Sequence, residues 1–230
     1  RGALERKAES VQPMLPIGAV LPLSGGFGSL GQSIRAGMEL ALAELEENKK
    51  RRIELCYLDS RSLPGTAQRE TEKLLIEGRS KLLISAETSS SLLIAEQAES
   101  RQIPLIALAG DPRVAAAKKF VMNFWASSSI EAEVAVTALV ERGYKRIAVV
   151  STLNEWARSF LQAFEDENAG RVDVAHSQHV ALGDNDYRDF FHQFARLTNI
   201  DAIMVVLVPG QCGEFVKQCR RRAIKVPLFG

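Results

Sequence analysis

Thr88-Ser89-Ser90-Ser91 is the stretch of this chain best suited to hold a small anion. These four residues follow an apolar, strand-like run, Leu82-Leu83-Ile84, and precede the helical pattern Leu92-Leu93-Ile94-Ala95-Glu96-Gln97-Ala98. A helix that opens on consecutive serines presents backbone N–H groups without intrahelical partners, the positive end of the helix dipole and several hydroxyls. That combination suits a carboxylate or other small anion. The plainer alternative is that one serine caps the helix, the usual role of Ser at such a position.

Other chemistry is harder to find. The glycine-rich stretch after the first apolar run lacks the Gly-x-x-x-x-Gly-Lys-Ser/Thr spacing of a phosphate-binding loop. Gly26-x-Gly28-x-x-Gly31 matches a dinucleotide fingerprint in spacing alone, and Asp59, the acidic residue that would meet a ribose, lies further along than usual. No Ser-His-Asp order with a nucleophile elbow and no Cys-His pair emerges, so an enzyme is not expected. His176, His179 and His192 form no metal motif, and Cys56, Cys212 and Cys219 lack both the spacing of a zinc site and an even count for a disulfide framework. No metal and no cofactor are expected.

Composition narrows the partners. With 29 basic and 28 acidic residues the net charge is +1, which gives no reason to expect nucleic acid as a partner. The basic runs Lys49-Lys50-Arg51-Arg52 and Arg220-Arg221-Arg222 read as solvated helix ends. No apolar run is long enough for a membrane span, and Arg1 to Pro16 lacks the apolar middle of a signal peptide. For an exported protein this implies that the signal has been removed or lies outside the chain.

The elements that must position the serines alternate along the chain. Buried strands are predicted at Ile17–Leu23, Ile53–Leu58, Leu82–Ser85, Leu105–Leu108, Arg146–Ser151, Val172–Ser177, Ala202–Val206 and Pro227–Phe229. Helices are predicted between them, at Gln32–Asn48, Gly65–Glu77, Ser90–Arg101, Ile130–Arg142, Glu155–Asn168, Tyr187–Leu197 and Gly213–Arg222. Such alternation implies an α/β fold, with doubly wound parallel sheets whose ligands bind beyond the carboxyl ends of the strands. The rhythm breaks at Lys118–Ser127, a short extended run before a second serine-rich helix start, read as a crossing between two lobes, 15–124 and 125–230.

With these features in order, the chain resembles the type I periplasmic solute-binding proteins, in particular the leucine/isoleucine/valine-binding branch that serves ABC transporters. The resemblance runs collinearly from Leu15 to Gly230. It is carried by the opening Pro22-Leu23-Ser24-Gly25 with its following glycines, the Tyr57–Ala67 turn and the Thr88–Ser91 cluster. Ile103-Pro104-Leu105-Ile106, Gly143-Tyr144-Lys145-Arg146-Ile147, the Gly183–Tyr187 turn and Ile200-Asp201-Ala202-Ile203 continue it.

The resemblance implies two lobes that close by a hinge on a ligand, an amino acid of apolar or aromatic type or a similar small carboxylate, for delivery to a transporter permease. It implies a periplasmic or extracellular location, free or lipid-anchored. Ser89, with Ser90 beside it, falls where the family holds the ligand's α-carboxylate. Ala109, Gly110 and Asp111 fall on the loop that meets the α-ammonium, with Asp111 in place of the family's threonine; the alternative is an ordinary turn aspartate ahead of Pro112. Leu30, Trp156 and Val208 match positions facing the ligand's side chain. The cysteines of the family's loop disulfide are replaced by Arg61 and Thr88. The family also continues past the point matching Gly230 into a C-terminal return segment, so two lobes without that segment are expected. The same fold also serves ligand-sensing domains, the competing function; a sugar-responsive repressor would need a helix-turn-helix ahead of residue 16.

Overall fold

A computed structural model of the chain describes residues 14–47 and 52–230. Residues 1–13 of the charged N-terminal stretch, and residues 49–51 of the first basic run, lie outside the described residues. Among the described residues, nine strands and seven α-helices alternate. They build two separate parallel sheets, and the α/β architecture is the expected one.

The first sheet has the order β2(Ile53–Asp59), β1(Leu15–Leu21), β3(Leu82–Ala86), β4(Leu105–Leu108), β5(Val121–Asn123). Its helices are α1(Gly28–Glu47), α2(Pro64–Ile76) and α3(Thr88–Ser100). The chain passes to the second sheet between the end of β5 and the start of α4(Ser128–Glu141). That sheet has the order β7(Asp173–Ala181), β6(Arg146–Leu153), β8(Ala202–Val206), β9(Leu228–Phe229), with helices α5(Glu155–Asn168), α6(Arg188–Phe194) and α7(Pro209–Arg221).

The central strands β1, β6 and β8 form because they are apolar without alternation. The last five residues of β1 are all buried, as a strand covered on both faces requires. Each sheet builds its own core. Leu83, Ile94 and Leu105 centre the first, and Ile147, Val149 and Met204 pack with Leu139 of α4 and Phe164 of α5 in the second. A further cluster of Tyr187, Phe190 and Phe215 fills the other face of the second sheet, its rings stacked edge to face at 5.0 and 5.3 Å.

The sequence expectation is missed by four residues at two helix starts and at the end of β7, which runs to Ala181 rather than Ser177. Helix α1 opens at Gly28 rather than Gln32, because Gly28 and Gly31 already donate to the carbonyls of Gly25 and Phe27. A Cβ on Gly31 would lie 2.2 Å from the Pro22 carbonyl oxygen, so the helix can lie against the end of β1 only with glycine there. Helix α7 starts at Pro209, which occupies a first-turn position needing no N–H. Strand β5, read from sequence as part of a crossing, is a true fifth strand pairing in parallel with β4.

Candidate functional site

Pairing of Ala86 with Leu108 brings the ends of β3 and β4 level, so the loops that follow them lie side by side. At the end of β3 the backbone of Glu87 takes φ 73°, ψ 136°. That turn folds the Glu87 side chain back over the first turn of α3, where its carboxylate accepts from Ser89 N–H at 2.7 Å and Ser90 N–H at 2.9 Å. The amides expected to be open are therefore occupied, and the cap is Glu87 rather than a serine. Among the serines, Ser91 Oγ pairs with Ser85 Oγ at 2.8 Å, Ser89 is half-buried, and Ser90 Oγ is buried with no hydrogen-bond partner.

Beyond β4, Ala109, Gly110 and Asp111 are all buried. The Gly110 carbonyl accepts from Ser128 N–H at 2.9 Å, which ties this loop to the start of α4. A Cβ on Gly110 would lie 3.0 Å from the Ala126 carbonyl and 3.5 and 3.6 Å from Cδ1 of Trp125 and Trp156. Two tryptophans thus approach the loop, Trp125 from the crossing segment and Trp156 from the first turn of α5.

Asp111 does not stand open to an ammonium. Its carboxylate caps the short 3₁₀ turn Pro112–Val114, accepting from Arg113 N–H at 2.9 Å. The Arg113 guanidinium covers both oxygens as well, through Nε at 3.0 Å to each and Nη2 at 2.5 Å. Nη2 also reaches Glu155 on α5 at 3.0 Å, a direct ion pair between the two halves of the chain. Arg113 is held above the ordinary arginine range, first by its hydrogen bond to Asp111. For Glu155, burial pushes the pKa up, but hydrogen bonds from Arg158 and Arg113 outweigh it and the net shift is downward.

The remaining expected residues are more scattered. Leu30 is half-buried on the first turn of α1. Trp156 is half-buried, and it works against the upward push that burial gives the Glu131 carboxyl. Val208 is buried at the entry to α7, its N–H donating to Thr152 Oγ1 at 3.2 Å. Every one of these positions lies on a segment that follows the carboxyl end of a parallel strand. Across the same end of the molecule the β1–α1 loop meets the loop after β7, where a Cβ on Gly26 would lie 2.7 Å from Leu182.

Glu87, Arg113 and Glu155 escaped the sequence reading. The available signals were weak: an acidic residue just ahead of a serine run, and Asp-Pro-Arg, where the aspartate starts a turn whose arginine folds back. Asp59, considered above as a ribose partner, is committed elsewhere, since it accepts from Ser24 Oγ at 2.7 Å and Arg61 N–H at 2.8 Å. Ser151 Oγ and His179 Nδ1 lie 2.6 Å apart, but they are register partners on adjacent strands and Ser151 is wholly buried, which makes them a cross-strand pair and no exposed nucleophile. Among the described residues, no group of three or more His, Cys, Asp or Glu side chains is arranged to hold a metal, and no helix is long and apolar enough to cross a membrane.

Two parallel α/β units, with loops from both meeting beyond the strand ends, define a type I binding-protein fold. A family model described as "Periplasmic binding protein" matches residues 15–229, and the chain belongs to that family. Solved structures show the same fold. A solute-binding protein of an ABC transporter from R. palustris in complex with benzoate superimposes with a TM-score of 0.84 at 22% identity, covering 94% of this chain and 61% of that one. The leucine-binding protein LivK from Thermotoga maritima gives 0.80 at 22% identity, covering 93% and 62%. LivJ from Streptococcus pneumoniae, in complex with isoleucine, gives 0.84 at 17% identity, covering 94% and 63%. The chain thus spans about three fifths of the length of these structures. No curated protein matches the sequence.

Proposed function

We propose that the protein binds a small organic carboxylate, an amino acid or a related acid, without chemical change. The ligand lies in a cleft between the lobes 15–124 and 125–230 and passes to an ABC transporter permease at the periplasmic or extracellular face. The observation that carries this reading is the carboxylate already seated on the Ser89 and Ser90 amides, that of Glu87. Two converging N–H donors at a helix N-terminus form an anion site, and here the chain supplies a stand-in. An incoming ligand carboxylate takes the place of the Glu87 side chain and gains the Ser89 and Ser90 hydroxyls beside it. Trp125 and Trp156 offer an apolar wall for the rest of the ligand. Contacts made from both halves of the chain then favour the closed arrangement over an open one. The benzoate and isoleucine complexes among the related folds agree with a carboxylate ligand in this class of cleft.

A thermal-shift screen of the purified protein against amino acids and simple carboxylic acids tests the reading. Stabilisation by at least one acid is expected, and Ser89→Ala should weaken its binding by about 1–3 kcal/mol. If no acid stabilises the protein, carboxylate binding is wrong.

A further inference from the structure

Resting on the carboxylate-binding reading above, we infer that Arg113 sets the ligand class of this cleft by reserving Asp111 for itself, so that the site takes carboxylic acids lacking an α-ammonium group in preference to amino acids. Asp111 has no exposed side-chain surface, and both of its oxygens are filled by the main chain and the planar fork of Arg113. The same Nη2 that bonds Asp111 also bonds Glu155, which is itself held by Arg158. An α-ammonium brought to the Ala109–Asp111 loop meets a fixed cation instead of a free carboxylate. Pulling Arg113 away to make room strands the wholly buried Asp111 charge without a partner and breaks the link to Glu155, a costly rearrangement.

A plain acid makes no such demand. Its carboxylate uses the Ser89 and Ser90 amides, its apolar part lies toward Trp125 and Trp156, and the Asp111 charge that would repel it is neutralised by Arg113. The wording of the sequence motif points the other way, since an aspartate on this loop reads as an ammonium partner until its neighbour two residues on is placed.

The test uses 3-phenylpropanoate and phenylalanine, which differ only in the α-ammonium, titrated calorimetrically into the wild-type protein, Arg113→Ala and Arg113→Lys. The wild type is expected to bind 3-phenylpropanoate at least about tenfold more tightly than phenylalanine. Arg113→Lys keeps a cation against Asp111 and retains that preference, whereas Arg113→Ala frees Asp111 and narrows it roughly tenfold. Equal binding of the two ligands by the wild type overturns the inference even if Arg113→Ala does not fold. So does an Arg113→Ala protein with an unchanged ratio. Failure of both ligands, and of every other acid in the screen, overturns the carboxylate reading beneath it.

Discussion

Replacing Glu87 with glycine removes the stand-in carboxylate and relieves its backbone in one step. Glu87 holds φ 73°, ψ 136°, a conformation that L-residues with a Cβ rarely adopt and that costs about 1–3 kcal/mol. Against this, its two hydrogen bonds to the Ser89 and Ser90 amides together cap the helix, and a side-chain cap contributes about 0.5–2 kcal/mol. The two effects nearly cancel, so Glu87→Gly should change the stability of the ligand-free protein by no more than about 1 kcal/mol. Binding is affected differently, because the wild-type protein must give up the Glu87 contacts before a ligand carboxylate can take the amides. Without Glu87 that cost vanishes, and affinity for a carboxylic acid should rise by about 0.5–2 kcal/mol, roughly 2- to 30-fold. Calorimetric titration with 3-phenylpropanoate measures the gain, and thermal unfolding of the unliganded proteins checks the stability. An affinity that stays the same or falls refutes displacement of Glu87, and means that the ligand does not use these amides.

Gly31→Ala should destabilise the protein by about 3 kcal/mol, seen as a lowered denaturation midpoint, because the new Cβ would sit 2.2 Å from a backbone oxygen with little freedom to move. Acid titration should expose the Arg113–Glu155 link. The pKa of Glu155 is lowered overall, since the hydrogen bonds from Arg158 and Arg113 outweigh the upward push of burial, so its stabilising contribution is complete above the ordinary glutamate range and is lost as pH falls through the lowered value. The melting temperature of Glu155→Gln, followed from about pH 6 to pH 3, should therefore fall less steeply than that of the wild type. Parallel curves would show that the ion pair adds nothing to the folded state.

Much of the architecture is legible without coordinates. Strands β4 and β8 and helix α5 have the bounds read from the sequence, and Asn154 caps α5 through Ala157 N–H at 2.8 Å. Boundaries shift where a non-periodic residue decides them, as at Gly28 and Pro209. The position of the serine cluster at the mouth of a parallel sheet is likewise visible in the order of strand, hydroxyls and helix.

What the serines do is another matter. Hydrophobic periodicity determined the strands, the helices and their alternation, because burial of an apolar face depends on near neighbours in the chain. Whether the Ser89 and Ser90 amides are open or filled depends on one backbone angle at Glu87, and no local pattern announces it. Whether Asp111 is free depends on the path of Arg113, and on a partner 42 residues further on at Glu155. Arg113 and Glu155 become neighbours only when two independently built sheets are brought together. Glu87 and Asp111 find their partners within three residues, and there the folded path of the backbone, not the residue pattern, decides which groups remain open.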